Sequence, residues 1–368
     1  MEVSSDDELD AMTTSGEELI QSILREESLE KIQQLITNGA PLWYQNESEG
    51  ISCLHAAAYT QNVALTKLLI ENGAVWNAAD YLRNTAGDIA LSFNNEELYN
   101  LMRDAGIRQE MLMGLLSSKT DNESVMILRA NDETAATSSE TFLGSPLIYK
   151  QDQLGQDVCM VDIDGEEVGV MMRWEEGIME RTLERMKAEC KKTENLRVLN
   201  VGFGLGIIDT LFQTLSPSLH VIIEPHPDVL KHMRERGWYE KPGVKILQGK
   251  WQDFVNKDRL TELIPEGGFD MVYTDPFSED YETLRGFFKQ LPTLLAPRDG
   301  IFSFFNGLGA TNPTIHDVAT RIAELHLAEL GFNVQWSDVD VRQQRDRWGN
   351  SRPYFTLPTY RLPVLVNS

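Results

Sequence analysis

From about residue 141 onward, short apolar runs alternate with amphipathic stretches along this 368-residue chain. The runs Val198–Val201, Val221–Ile223, Val244–Leu247, Met271–Thr274, Ile301–Phe305, Val334–Val339 and Tyr354–Leu357 read as strands. Helical spacing covers 174–190, 206–215, 227–236, 279–295 and 314–330, and Gly331 is positioned to end the last of these. Strands alternating with helices predict a doubly wound parallel sheet. The last two strands are separated only by the polar stretch Arg342 to Arg352, which predicts a terminal antiparallel hairpin at one sheet edge. Residues 1–15 are polar and acidic and read as a disordered tail. Residues 113–140 are rich in Ser, Thr and acidic side chains and read as a linker, with Val125 to Arg129 as a short ordered piece.

The segment 16–112 repeats itself. Leu35-Ile-Thr-Asn-Gly-Ala40 recurs as Leu69-Ile-Glu-Asn-Gly-Ala74, and again in degraded form as Leu101-Met-Arg-Asp-Ala-Gly106. Between the first two lies Gly50-Ile-Ser-Cys-Leu-His-Ala-Ala-Ala58. This period and motif resemble the ankyrin repeat, with Ser52 and Cys53 in place of the usual Thr-Pro. The resemblance implies two or three helical hairpins that bind partners or shield the next domain. His55 then holds a turn by hydrogen bonds, as repeat units are packing devices.

Composition narrows the setting. With 42% hydrophobic residues the chain can bury a sizeable core, and no apolar run reaches 18 residues, so no membrane span is expected. The N-terminus has neither a secretory nor a transit signature. Cys53, Cys159 and Cys190 lie far apart without metal-ligand spacing, which suits buried thiols in a reducing compartment, cytoplasm and nucleus, and no metal site. The net charge of −24 repels nucleic acid and attracts basic proteins, although solubility alone would also account for it.

The candidate chemistry begins at Arg197-Val-Leu-Asn-Val-Gly-Phe-Gly-Leu-Gly206. A strand runs into three glycines, and Ile207 opens a helix, so backbone N–H groups face a ligand at a helix N-terminus. The dinucleotide pattern G-x-G-x-x-G needs a glycine at 207; here Ile207 stands there, which leaves a G-x-G-x-G run. Glu224 ends the second strand, 18 residues after Gly206, where a carboxylate can accept both ribose hydroxyls. Gln248-Gly-Lys-Trp-Gln-Asp253 comes after the third strand, where Trp251 is either an adenine platform or a core residue. Asp275-Pro276 stands at the mouth of the fourth strand, the edge of an open sheet where chemistry sits.

VLNVGFGLGI, IIEPHPDVL, FDMVYTDPFSED and FSFFNGLGATN, preceded by GVMMRWEEGIM, resemble the guanidinoacetate N-methyltransferase family. With the ankyrin-like segment in front, nearly the whole chain is similar to the fungal (type IV) protein arginine N5-methyltransferases. The resemblance implies a class I methyltransferase fold over 141–368 and S-adenosylmethionine as cofactor. It implies that Gly202, Phe203, Gly204, Leu205, Gly206 and Ile207 cradle the methionine part of that cofactor. Glu224, Pro225 and His226 would meet the ribose and adenine side, and Lys250 and Trp251 would border the adenine. Met171 and Met179, flanking Trp174, would line the transfer channel, with Tyr149 as an aromatic lid. Glu175 and Asp275 would face a guanidino group, with Trp174 and Asn306 as further walls. The substrate implied is a basic protein, of the large ribosomal subunit.

The chain lacks the Thr-His-Trp loop of the common protein arginine methyltransferases, and most of the about 90 residues after Asp275 are expected to finish the sheet, which argues against methylation of the terminal nitrogens by their route. Two other readings stay open at this level: an enzyme on a small guanidino acid, and a non-catalytic repeat scaffold.

Overall fold

A computed structural model describes residues 5–119, 138–255, 264–277, 279–342, 348 and 351–367. It divides into two compact units, 1–128 with 309–322, and 129–308 with 323–368.

The first unit contains the helices α1 (Ser5–Leu24), α2 (Leu29–Thr37), α3 (Cys53–Tyr59), α4 (Val63–Glu71), α5 (Ala86–Ser92) and α6 (Glu96–Lys119). The expected tail is therefore helical from Ser5. Leu19, Ile20 and Ile23 on α1 are fully buried against α3, and that burial supports a helix the acidic composition alone would not suggest. Likewise α6 continues through the first residues of the expected linker. The Val125–Arg129 expectation lies outside the described residues.

Side-chain caps start most of these short helices. Ser52 caps α3 and Thr85 caps α5, each in a reciprocal capping box. His55 accepts the Ser52 backbone N–H at Nδ1, 3.0 Å, which leaves Nε2–H to donate to the Asn84 carbonyl, 3.0 Å. It thus ties one turn to the next, and burial lowers its pKa. The 309–322 segment joins this unit through Asp88, whose carboxylate accepts the Thr314 hydroxyl at 2.7 Å and backbone N–H at 3.1 Å. Tyr99 donates to Asp317 at 2.8 Å. The expected methyltransferase boundaries, 141–368, assign this segment elsewhere.

In the second unit the described residues start with α7 (Ser139–Gly144), capped by Ser138, so this helix covers the last residues of the expected linker. An antiparallel three-stranded sheet comes next, β1 (Leu147–Gln151), β2 (Asp157–Ile163) and β3 (Glu166–Met172), in the order β1-β2-β3. The sequence pattern does not reveal these strands, because the charged residues of β1 and β3 mask the alternation. A single turn of 3₁₀ helix, Arg173–Glu175, leads into α8 (Glu176–Glu189).

The main sheet then builds as β4 (Arg197–Val201), α9 (Ile207–Gln213), β5 (Leu219–Glu224), α10 (Pro227–Glu235), β6 (Val244–Gln248), α11 (Trp251–Phe254) and β7 (Met271–Thr274). It continues with α12 (Tyr281–Phe288), α13 (Leu291–Leu294), β8 (Ile301–Phe304), α14 (Pro313–Glu329), β9 (Phe332–Asp340) and β10 (Thr359–Asn367). The helix expected at 279–295 is two helices, and Pro292 sits in the first turn of the second, where its missing N–H costs nothing. Strand order is β6-β5-β4-β7-β8-β10-β9. The first five strands are parallel, and β10 runs antiparallel between β8 and β9.

The terminal hairpin is therefore present, but its second strand is Thr359–Asn367 and not Tyr354–Leu357. Tyr354 and Phe355 belong to the connection. On β10, Tyr360, Leu362, Val364 and Leu365 are buried, and the Pro363 carbonyl accepts the Ser303 hydroxyl at 2.6 Å. The core on one face of the sheet is aromatic, with Phe287, Phe288, Phe302 and Phe304 in mutual contact. Cys53 and Cys159 are buried, and burial pushes both thiols up to about 12, which makes them inert packing groups; Cys190 is half-buried. Among the described residues no helix is long and apolar enough to cross a membrane, and no three His, Cys, Asp or Glu side chains are placed to hold a metal ion.

Candidate functional site

In the second unit, some of the expected site residues gather at or near the carboxyl edge of the parallel strands. Strand β4 ends at Val201, and the chain turns through glycines with positive φ: 88° at Gly202, 55° at Gly204 and 71° at Gly206. A Cβ on Gly202 would stand 2.6 Å from the Asp275 carbonyl, and one on Gly204 2.8 Å from Met171 Sδ. The loop thus needs glycine both for its conformation and for the closeness of its neighbours. Gly206 caps α9.

Polar groups hold the loop from below. Asn200, fully buried on β4, donates from Nδ2 to the Gly202 carbonyl at 2.7 Å and to Asp209 at 2.9 Å. Asp209 is itself buried 3.1 Å from His220. Sequence reasoning misses this support. The N-x-G spacing is visible in the chain, but the partner on the next helix is not.

Glu224 ends β5 and is 4% exposed. One carboxylate oxygen accepts the Phe203 N–H at 2.8 Å and the other the His226 N–H at 2.7 Å. Burial raises its pKa to about 7, against the two backbone donors that favour the charged form. Glu224, Gly202, Phe203, Gly204, Met171 and Pro225 line one cavity, together with Lys250, Trp251 and Asp275. Met171 Sδ also accepts the Leu205 N–H at 3.2 Å. Trp251 is a core residue that also lines the cavity. Its ring meets Phe287 edge-on in the core while it lines the cavity, and its indole N–H donates to Glu279 at 3.0 Å.

A second cavity adjoins the first. It is lined by Glu175, Asp275, Glu279, Thr274, Phe305 and Tyr354, among others. Asp275, Glu279 and Pro276 line both cavities. Asp275 receives its position from β7, and its N–H donates to the Val201 carbonyl at 2.9 Å. Burial, and then the nearby Glu175 carboxylate, raises its pKa well above the usual carboxylate range. Glu175 is 2% exposed at the end of the helical turn before α8, where its Oε1 accepts the Met172 N–H at 2.9 Å and the Tyr354 hydroxyl. Burial holds Glu279 at about 7 despite its bond from Trp251. Three carboxylates thus line the second cavity, and among the described residues no lysine or arginine lines it. Such a cavity favours a cation that can donate several hydrogen bonds.

Several expected site residues lie elsewhere. Met179 is fully buried on α8 and lines neither cavity. Trp174 packs in an aromatic cluster with Trp348, Tyr354 and Phe355, so it backs the site without facing it. His226 is buried, caps α10, and hydrogen-bonds the Phe142 and Ser145 carbonyls, which pins α7 near the first cavity. Asn306 is no wall: its N–H donates to the Tyr360 hydroxyl at 2.9 Å and its side chain to the Arg361 carbonyl at 3.2 Å. Tyr149 donates to the Gly204 carbonyl at 3.2 Å from outside the loop, and with Leu205 and Ile207 it lines a different cavity. Sequence reasoning misses Phe142, Glu279 and Tyr354 as lining residues. Glu279 stands in the FSED motif, whereas Tyr354 carries the signal of a strand.

A parallel sheet in this order, with a terminal hairpin, a glycine loop after β4 and an acid at the end of β5, defines an α/β methyltransferase. A family profile described as guanidinoacetate N-methyltransferase matches residues 153–330. Protein arginine N-methyltransferase 2 of Cryptococcus neoformans is 40% identical over 90% of this chain and 90% of its own length. The proteins of that name from Emericella nidulans and Saccharomyces cerevisiae are 36% and 33% identical, each over 82% of this chain and 77% of their own. The chain belongs to the protein arginine N-methyltransferase 2 family and is a methyltransferase.

Proposed function

We propose that the chain transfers a methyl group from S-adenosylmethionine to the internal δ-nitrogen of an arginine in a basic protein. The observation that carries this reading is that Asp275 lines both cavities, so a donor in one and a guanidinium in the other meet at a carboxylate.

The first cavity fits the cofactor. Because Gly202 and Gly204 carry no Cβ, the Asp275 backbone and Met171 pack close against its glycine loop and line the cavity with it. Each Glu224 oxygen has a lone pair left after its backbone bond, enough for two ribose hydroxyls. Trp251 and Lys250 also line it, and the adenine is proposed to lie against them. When bound, the sulfonium supplies an electrophilic methyl group.

The second cavity fits the acceptor. A guanidinium reaches the site charged, with a pKa of ~12.5–13.8, and its lone pairs are delocalised. Glu175, fixed by the Met172 N–H and the Tyr354 hydroxyl, grips one edge of the planar group. Asp275 grips the nitrogen that is to be methylated, so positive charge gathers on the others. As the N–C bond forms, the proton on that nitrogen passes to Asp275, whose raised pKa suits a base. Positioning does much of the remaining work, because the nitrogen must approach in line.

A small guanidino acid is disfavoured by the same lining. Its carboxylate would meet three acidic side chains and, among the described residues, no lysine or arginine. An arginine within a protein brings no such carboxylate. The acidic surface suits a basic substrate, and a protein of the large ribosomal subunit is the proposed one. The helical hairpins of the first unit, read as ankyrin-like, are the proposed platform for it.

Incubation with labelled cofactor and a proteome extract, with subsequent hydrolysis, tests the reading. The expected product is δ-N-methylarginine, and label found solely on the terminal nitrogens would refute it.

A further inference from the structure

The cavity that holds Tyr149 has an electrostatic character opposite to the chain as a whole. It measures about 440 Å³ and shares no lining residue with either cavity of the methyl-transfer site. It lies among β1, β2, α9 and the end of α10. Four fixed cations line it, Lys150, Arg173, Arg236 and Lys241, against one carboxylate, Asp157. The whole chain carries 57 acidic and 33 basic residues, so the cavity inverts the prevailing charge.

The four cations are not equivalent. Lys150 pairs with Glu167, and Arg173 pairs with Glu176 at 3.0 Å and with Asp157 at 3.3 Å. Asp157 also accepts from Gln151. Arg236 and Lys241 have no carboxylate partner among the described residues; Lys241 lies over the Trp238 ring, 4.6 Å from its centroid. His232 stacks on Tyr149 with ring centroids 3.9 Å apart and planes 6° apart. Burial and the nearby Arg236 charge lower its pKa, with Glu235 and Asp157 opposing. Local positive potential is thus felt by a third group on the cavity wall.

We propose that this cavity is a binding site for a small phosphate-bearing anion, held chiefly by Arg236 and Lys241. An arginine fork and a lysine point charge together suit a tetrahedral phosphate group, and the cavity has room for more than the bare group. Tyr149 connects the site to the glycine loop, because its ring stacks on His232 while its hydroxyl donates to the Gly204 carbonyl.

The test is calorimetric titration of the full chain with inorganic phosphate in chloride buffer of constant ionic strength, with and without saturating S-adenosylhomocysteine. The expected result is saturable binding with Kd of about 1 mM or tighter in both conditions. Arg236→Ala with Lys241→Ala should weaken it about tenfold or more, and the milder Arg236→Gln should weaken it in the same direction. The exposed Lys187→Ala, on α8 and away from the cavity, should leave it unchanged, with melting temperatures confirming that each variant is folded. Non-saturable binding, or an equal loss in Lys187→Ala, would mean diffuse electrostatics and overturn the site. Loss of binding on saturation with S-adenosylhomocysteine would assign the anion to the cofactor cavity and overturn it as well.

Discussion

Glu224 and Asp275 are both buried carboxylates at the ends of parallel strands, yet they are built for different work. Glu224 is satisfied on both oxygens by backbone N–H groups and holds a fixed orientation toward the glycine loop. Asp275 faces another carboxylate, and burial together with that charge raises its pKa well above the usual range. The first arrangement makes a stable acceptor for neutral hydroxyl donors. The second is unfavourable until a cation arrives, and so selects one. Two acids of similar burial are distinguished by what surrounds them.

The strongest test of this contrast is Asp275→Asn. The amide keeps the shape and removes both the charge and the proton acceptor. Turnover should fall about 10²- to 10⁴-fold, while S-adenosylhomocysteine binding by calorimetry stays within about threefold. Turnover near that of the unaltered chain would remove Asp275 from the mechanism.

Glu224→Ala should produce the complementary pattern. Loss of the ribose acceptor, and of the bonds that hold the loop, should weaken S-adenosylhomocysteine binding by about tenfold or more, ~1.4 kcal/mol at the lower bound. An unchanged Kd would show that Glu224 serves the fold alone.

How much of this contrast is legible in the sequence depends on how local each part is. The glycine loop, Glu224 and Asp275 sit where continuous apolar strands stop, so strand ends and site residues are found together. The surroundings that give each acid its character are long-range. Tyr354 reaches Glu175 across 179 positions, and it reads as strand because Tyr354-Phe-Thr-Leu357 is rich in β-formers. The true strand β10 carries Pro363, which argues locally against an interior strand, although the proline carbonyl is used there by Ser303. Asn306 looks like a wall because it comes after β8, but Tyr360 and Arg361 on β10 claim it. Met179 has the right helix and the wrong face. In the first unit, the acidic start of α1 masks a helix whose apolar residues are concentrated at its far end.

The pH response sharpens the comparison further, since Glu224 has a pKa near 7 in the folded chain and about 4.3 when exposed. A folded pKa above the unfolded value means that this group's contribution to stability is fully present below about 4.3 and is lost as pH rises through about 7. Cofactor binding should move the other way, because the ribose hydroxyls need the ionised acceptor. Between pH 6 and 8 the affinity for S-adenosylhomocysteine should rise about tenfold, and Glu224→Gln should flatten the profile. A flat profile in the unaltered chain would show that Glu224 is already ionised by pH 6.

The smallest expected effect concerns the residue that orients the second acid. Tyr354 donates its hydroxyl to Glu175, and its ring packs against Trp174 and Trp348. Tyr354→Phe keeps that packing and deletes one hydrogen bond to a carboxylate that still accepts the Met172 N–H. Glu175 would then be less firmly oriented, so fewer bound guanidinium groups would lie in line for transfer. The loss belongs to kcat, by about three- to tenfold, while S-adenosylhomocysteine affinity stays unchanged, because Tyr354 does not line the first cavity. If Tyr354→Phe instead weakened cofactor binding and left kcat intact, Glu175 would belong with Glu224 as a cofactor ligand, and the division between the two acids would have to be redrawn.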